Sequence, residues 1–213
     1  VAVELDRALL PVLAETLGGR DNVEVISGDI LKLDIPALVD EKLAGLEPMA
    51  CANLPYNITT PVMTALIEAK RFSCIAVMIQ REVARRICAA PGSPDYGAFS
   101  VYCQYHTEPE LLFDVGPECF IPAPKVTSSV IRMRPLPSPP VPVKDEVRFF
   151  RVVKAAFGQR RKTLLNALSA GLPSLSREAV KAAVAACGLP DNVRGERLGI
   201  PEFAALTEAL GEF

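Results

Sequence analysis

Three positions along the chain combine residue types and spacing suited to gripping a nucleoside. Glu4 closes a short apolar run, Val1-Ala2-Val3-Glu4-Leu5; Gly28-Asp29 follows a second, Asn22-Val23-Glu24-Val25-Ile26; and Asn53-Leu54-Pro55-Tyr56 follows a third, Met49-Ala50-Cys51-Ala52. The intervals from Glu4 to Asp29 and from Asp29 to Asn53 are 25 and 24 residues, about one strand-helix unit each. A carboxylate past a strand end can accept from both hydroxyls of a ribose, because its two oxygens match two O–H donors. Asp29 could accept from an exocyclic adenine amine in the same way. Pro55 fixes its own φ and biases Leu54 toward an extended conformation, so main-chain carbonyls near Leu54 can point outward beside the Asn53 amide. Taken singly, a carboxylate after a strand also reads as a helix cap, and the Asn-Leu-Pro-Tyr stretch as a turn with a packed tyrosine.

For these groups to share one surface, the three runs must be parallel strands, since ligands of an open parallel sheet bind beyond the carboxyl ends. Asp6 is placed to cap an amphipathic helix in which Leu9, Leu10, Leu13 and Leu17 recur at helical spacing, ended by Gly18-Gly19. A second helical stretch runs from about Pro36 to Leu46. Thr59-Thr60-Pro61 predicts the start of a third, reaching about Ala69, before a strand from Cys74 to Ile79. This alternation predicts an α/β fold, a parallel sheet with helices on both faces. From Phe99 to Arg134 the period changes: Phe99 to His106, Glu110 to Val115 and Val126 to Met133 read as strands of an antiparallel edge. Five prolines in the eight residues from Pro135 to Pro142 predict an extended linker. The residues from Lys144 onward are helix-rich. The expected division is therefore a sheet domain at 1–134, a linker at 135–143 and a small helical domain at 144–213.

Composition narrows the partners. Half of the 213 residues are hydrophobic and 23% charged, a globular balance, and no apolar run approaches the roughly 18 residues that span a bilayer. The net charge of −2 excludes a polycation that coats nucleic acid, so any such site must be local. Charge divides along the chain, with −5 over residues 1–143 and +3 over 144–213. The densest basic patch, Arg160-Arg161-Lys162, reads equally as a solvated helix start or as an RNA contact, and Arg81, Arg85 and Arg86 at helical spacing as phosphate contacts or solvated side chains. The six cysteines form no Cys-x-x-Cys pair, and His106 is the single histidine, so no metal site is expected. Their apolar settings predict free thiols in a reducing cytoplasm.

Together these segments resemble the adenine-N6 dimethyltransferases of ribosomal RNA, of the small-subunit KsgA/RsmA type. The likeness covers nearly the whole chain. It includes Val3-Glu4-Leu5-Asp6, Gly28-Asp29-Ile30-Leu31, Asn53-Leu54-Pro55-Tyr56-Asn57-Ile58 and Phe120-Ile121-Pro122-Ala123-Pro124-Lys125-Val126-Thr127-Ser128-Ser129. Phe157-Gly158-Gln159-Arg160-Arg161-Lys162-Thr163-Leu164 then opens the helical domain. The resemblance implies a Rossmann-like, S-adenosylmethionine-dependent methyltransferase that dimethylates two adjacent adenosines near the 3′ end of small-subunit rRNA. Glu4, with Leu5 beside it, would hold the cofactor's ribose, Asp29 its adenine amine, and Ile30 would pack near the ring. Asn53, which also borders the cofactor, and the Leu54 carbonyl would take the two N6 hydrogens of the target adenine. Pro55 would shape the turn, and Tyr56 and Phe120 would line the base pocket. Arg81, Arg85, Arg86, Lys125, Arg160, Arg161 and Lys162 are the RNA-contact candidates. The implied partner is the assembling small subunit, with no metal and a monomeric protein. His106 is expected to be an ordinary strand residue, since attack by the amine needs no strong base.

One departure bears on the site. Enzymes of this kind begin with a strand and a glycine-rich loop around the methionine half of the cofactor, and the only early glycine pair here, Gly18-Gly19, ends a helix. A preceding segment is therefore expected, as is a hole in the sheet between the strands leading to Glu4 and Asn53. Three other readings compete: a large-subunit methyltransferase of the resistance type, a non-catalytic RNA-binding assembly factor, and a DNA adenine methyltransferase, which usually has a second proline where Leu54 stands.

Overall fold

A computed structural model describes all residues, 1–213. The chain forms two compact units, Val1–Ile79 with Arg132–Pro135, and Gln80–Ile131 with Leu136–Phe213.

In the first unit, strand β1 (Ala2–Glu4), helix α1 (Leu10–Leu17) and strand β2 (Val25–Ser27) form one segment of alternating structure, with β1 and β2 parallel and Glu4 opposite Ser27. Asp6 accepts from the Ala8 amide at 2.8 Å and so closes the turn before α1, whose own N-cap is Leu9. The helix ends at Gly18 as its glycines predict, yet it buries no residue: Leu9 and Val12 lie open. Helix α2 (Ile35–Lys42) starts at Asp34, whose carboxylate accepts from the Ala37 amide at 3.0 Å, with Pro36 in the first turn where its missing N–H costs nothing.

Strand β3 (Met49–Asn53), helix α3 (Thr59–Glu68) and strand β4 (Cys74–Gln80) come next, with β3 and β4 parallel from Met49 opposite Cys74 to Asn53 opposite Met78. β4 alternates strictly, burying Ile75, Val77 and Ile79, while α3 buries Val62, Met63, Leu66 and Ile67. The larger sheet has the order β3-β4-β6-β5, where β5 is Thr107–Val115 and β6 is Ser128–Pro135. β1 and β2 form a separate pair. The sheet is thus parted between β1 and β3, where the sequence predicted a hole.

The second unit corrects one expectation. Phe99 to His106 is not a strand but lies in helix α5 (Ala98–His106), which follows α4 (Arg81–Ile87). Its aromatic, β-favouring composition misled, because burial decided the outcome: Val101 and Tyr105 recur at i, i+4 and are 0% and 1% exposed. The Ser100 hydroxyl accepts from the Gly97 amide at 3.0 Å, closing the helix start. His106 is accordingly the last residue of a helix. Its ring packs among Tyr102, Tyr105 and Phe150, with Nε2 3.5 Å from Glu146 Oε1, a structural setting.

Helices α6 (Glu146–Gly158), α7 (Leu164–Gly171), α8 (Arg177–Ala186) and α9 (Ile200–Leu210) complete the chain. Asp145, Thr163 and Ser176 accept from the amides three residues on, satisfying donors left over at each helix start. One core joins Tyr96, Val101 and Tyr105 to Phe149, Leu168 and Phe203, with the Tyr105 and Phe149 rings 5.1 Å apart. Because α5 buries its aromatic face among these helices, the second unit begins already at Gln80, and the chain returns to it at Leu136, where the proline-rich stretch starts.

α6 and α7 approach closely at Gly171, where an added Cβ would stand 2.6 Å from the Ala155 Cβ and 2.9 Å from its Cα. Gly171→Ala must push the helices apart and is expected to destabilise the protein by about 1–3 kcal/mol. Gly19→Ala, with nothing within 4 Å, is expected to stay within about 0.5 kcal/mol of the parent. Urea unfolding of the two variants checks both.

Candidate active site

Parallel pairing of β1 with β2 brings two carboxylates to one end. The Gly28 amide donates to the Glu4 carbonyl at 2.9 Å, so the chain leaves β2 beside the end of β1, and Asp29 follows at once. Glu4 Oε1 accepts from the Asp6 amide at 2.7 Å, and Asp29 Oδ1 from the Leu31 amide at 3.0 Å, where Asp29 caps the turn Ile30–Lys32. Each carboxylate thus has one oxygen pinned by local backbone and a second that the backbone leaves unclaimed. Glu4 Oε2 has no partner, and Asp29 Oδ2 meets only the exposed Lys32 ammonium at 3.9 Å. The cap and the ligand role, alternatives in the sequence, are compatible, because they use different oxygens.

The second wall is the end of β3. The Leu54 amide donates to the Met78 carbonyl at 3.1 Å, extending the ladder one step past Asn53, and the Leu54 side chain is buried at 6% exposure. Pro55, at φ −56° and ψ 134°, turns the chain into the short helical turn Tyr56–Ile58. Its carbonyl accepts from the Ile58 amide at 3.1 Å and the Thr59 hydroxyl at 3.3 Å. Thr59 therefore locks the turn and does not cap α3 as its position suggested. Within this fixed loop the Asn53 amide and the Leu54 carbonyl have no hydrogen-bond partner in the protein.

A cavity of about 500 Å³ joins the two walls. Glu4, Leu5, Asp29 and Ile30 line one side and Asn53, Leu54 and Pro55 the other. Its remaining length runs between the unpaired edges of β1 and β3, over apolar side chains such as Val39 and Leu66. The cavity therefore has a polar end, able to hold a nucleoside, and an apolar trough.

The other candidate residues are not among those lining the cavity. Tyr56 is exposed and is not among the residues lining the cavity. Phe120 is half-buried in the second unit, just past the turn Pro117–Cys119. Arg81 lies 3.8 Å from Asp114 and Arg160 3.6 Å from Glu196, so both are partly engaged within the protein. Arg85, Arg86, Lys125, Arg161 and Lys162 are candidates with side chains at the surface or partly so. Two cations that the sequence did not single out, Arg151 and Lys154, line a second cavity of about 480 Å³ between α6 and α7. Their i, i+3 spacing on a mostly apolar helix was the available signal. No cluster of metal-ligating side chains is present, and no helix is long and apolar enough to cross a membrane.

The fold is that of the Rossmann-like methyltransferases. A crystal structure of a dimethyladenosine transferase from Plasmodium falciparum superposes with a TM-score of 0.74 at 21% identity, over 96% of this chain and 78% of that one. The structure of the 23S rRNA methyltransferase ErmE gives 0.67 at 24% identity, over 99% and 81%. The family model for ribosomal RNA adenine dimethylase matches residues 1–199, and the chain belongs to that family. It is 47% identical over its whole length to the ribosomal RNA small subunit methyltransferase A of Alkaliphilus oremlandii, and 48% and 46% identical to the proteins of that name from Alkaliphilus metalliredigens and Geobacillus thermodenitrificans. It spans 74%, 74% and 73% of those relatives' lengths.

The cysteines report on the cavity. Cys51 is exposed and lines it, Cys119 is exposed, and Cys103 is buried, with burial pushing its thiol well above the usual range. A raised pKa leaves less thiolate at any given pH, and burial blocks the reagent as well. Near neutral pH, maleimide is expected to label Cys51 and Cys119 first and Cys103 only on unfolding, as read by peptide mass spectrometry.

Proposed function

We propose that the protein transfers methyl groups from S-adenosylmethionine to N6 of two adjacent adenosines near the 3′ end of small-subunit ribosomal RNA, during assembly of that subunit. The observation that carries this reading is the pair of unclaimed acceptors, the Asn53 amide oxygen and the Leu54 carbonyl, at the polar end of a cavity that also exposes Glu4 and Asp29. The names of the relatives at 46–48% identity support the small-subunit substrate over the large-subunit one.

The donor set fits the cofactor. Glu4, on β1, offers its second oxygen to a ribose diol, Asp29 offers one to an adenine amine, and Ile30 gives the ring an apolar neighbour. When bound, the cofactor supplies an electrophilic methyl on a sulfonium. The chain's own task is to make an adenine amine attack. That amine is a poor nucleophile because its lone pair is delocalised into the ring. Acceptance of both N–H bonds, by the Asn53 amide oxygen and the Leu54 carbonyl, favours a pyramidal nitrogen and directs the lone pair away from the ring plane. The two dipoles also stabilise the positive charge that grows on nitrogen, and because Leu54 is held by Met78 they need not reorganise during the reaction. The proton leaves after attack, so no strong base is required. Extracting the base from its stack costs a few kcal/mol, and stacking on Tyr56 or Phe120 offsets about 1–3 kcal/mol per base.

The cations Arg161 and Lys162, together with Arg85, Arg86 and Lys125, serve the RNA backbone, with residues 144–213 as the recognition segment. The six free cysteines accord with a cytoplasmic protein. The parted sheet supports a limit on the 213 residues taken alone: no shared ladder holds the Glu4–Asp29 wall against the Asn53 wall, so the cofactor binds weakly. Calorimetry with S-adenosylmethionine is expected to show little or no binding, and native-like affinity overturns this.

The deciding assay is transfer of labelled methyl to unmethylated small ribosomal subunits, using the 213 residues and the same residues with an added N-terminal strand that bridges β1 and β3. Dimethyladenosine in small-subunit RNA, strongest in the bridged form, is expected, and label confined to large-subunit RNA overturns the substrate. Asn53→Ala, a change at an exposed side chain, is expected to lower the transfer rate by about 10²–10³-fold. The competing reading is a non-catalytic assembly factor. Subunit binding without transfer in either form would establish it.

A further inference from the structure

The aromatic assigned to the target base sits on a loop with little to hold it. Residues 116–127 join β5 to β6, beginning with the short turn in which Cys119 and Phe120 donate to the carbonyls of Gly116 and Pro117 at 3.1 and 3.2 Å. Beyond Phe120 no backbone hydrogen bond fastens the tip, and Ile121 is fully exposed. The position of Phe120 is therefore set from the two ends of the loop.

One carboxylate ties those ends together. Asp114, two residues before the loop, accepts from the Ser129 hydroxyl, two residues after it, at 2.5 Å. Ser129 is fully buried, so its hydroxyl depends on this acceptor for its hydrogen bond. The second Asp114 oxygen faces the Arg81 guanidinium at 3.8 Å. Arg81 in turn donates its amide to the Thr127 carbonyl at 3.0 Å, at the last residue of the loop. The start of β6, the end of β5 and the start of α4 thus converge on one side chain, all within the second unit. The ion pair alone is half-exposed and weak, but it aims a group whose backbone is already bonded to the loop. Arg81, an RNA-contact candidate in the sequence, has this second use.

We infer that Asp114 is a positioning residue for the loop that presents Phe120, which it fixes through Ser129 and Arg81. The inference rests on the reading of Phe120 as the aromatic that meets the target adenine, and its test separates the two. With Cys51 replaced by alanine, Cys119 is the one remaining exposed thiol and takes a nitroxide label next to Phe120. Asp114→Ala is expected to sharpen the label's spectrum, reporting a looser loop, and, in the form with the added N-terminal strand, to lower kcat on small subunits at least tenfold while KM for S-adenosylmethionine stays within twofold. Asp114→Asn keeps an acceptor for Ser129 and loses the charge toward Arg81, so it is expected to fall between. Ser129→Ala, which removes only the hydroxyl, is expected to loosen the label as Asp114→Ala does and serves if that variant fails to fold. An unchanged label spectrum in folded Asp114→Ala or Ser129→Ala overturns the inference. So does a loss of kcat matched by an equal rise in KM for the donor, which marks general destabilisation. A looser loop in a protein without methyl transfer would leave Asp114 its anchoring role and refute the reading of Phe120 instead.

Discussion

The hydrogen bond from the Leu54 amide to the Met78 carbonyl is the contact that fixes the end of β3 at the candidate site. It carries the β3–β4 ladder one residue beyond Asn53 and uses the N–H of Leu54 while leaving its carbonyl unclaimed. Pro55, with no N–H to offer, then lets the chain turn at once into the helical turn before α3, and the Pro55 carbonyl accepts from both the Ile58 amide and the Thr59 hydroxyl. Two acceptors are left side by side on a rigid mount. A methyl transfer that relies on orientation, and not on a strong base, needs acceptors that stay in place as charge develops.

The other wall divides its groups in the same way. Glu4 and Asp29 each commit one carboxylate oxygen to the backbone next to them, which fixes the side chain, and the backbone leaves the other unclaimed. What binds the two walls into one site is the geometry of parallel strands, which deliver their carboxyl ends to one edge. That geometry is interrupted between β1 and β3, where a cavity of about 500 Å³ takes the place of a ladder. The exposed side chains of Leu9, just before α1, and of Val12 within it belong to the same interruption, since a helix flanking a two-stranded pair has little to cover.

The second unit is built on different physics. Its core is helix on helix, with no side chain at Gly171 so that α6 and α7 can approach, and with the aromatic face of α5 buried among them. The sole histidine is engaged here in packing among aromatic rings. The cations left exposed on this unit, Arg161 and Lys162 among them, suit a partner bound through a repeating anionic backbone.

Much of this was legible in the residues. The spacing of Glu4, Asp29 and Asn53 by one strand-helix unit each, the turn imposed by Pro55 and the helix stops at glycine all follow from local rules of backbone and side-chain chemistry. Those rules failed at Phe99–His106, where aromatic composition argued for a strand and burial of Val101 and Tyr105 made a helix. The sequence by itself determined the chemical groups and the order in which they come. Only the tertiary structure decided that Asn53 and Leu54 keep their acceptors free and that Asp114 meets Ser129 and Arg81. Each of these is settled by which distant group completes or leaves open a hydrogen bond, and no local pattern encodes that.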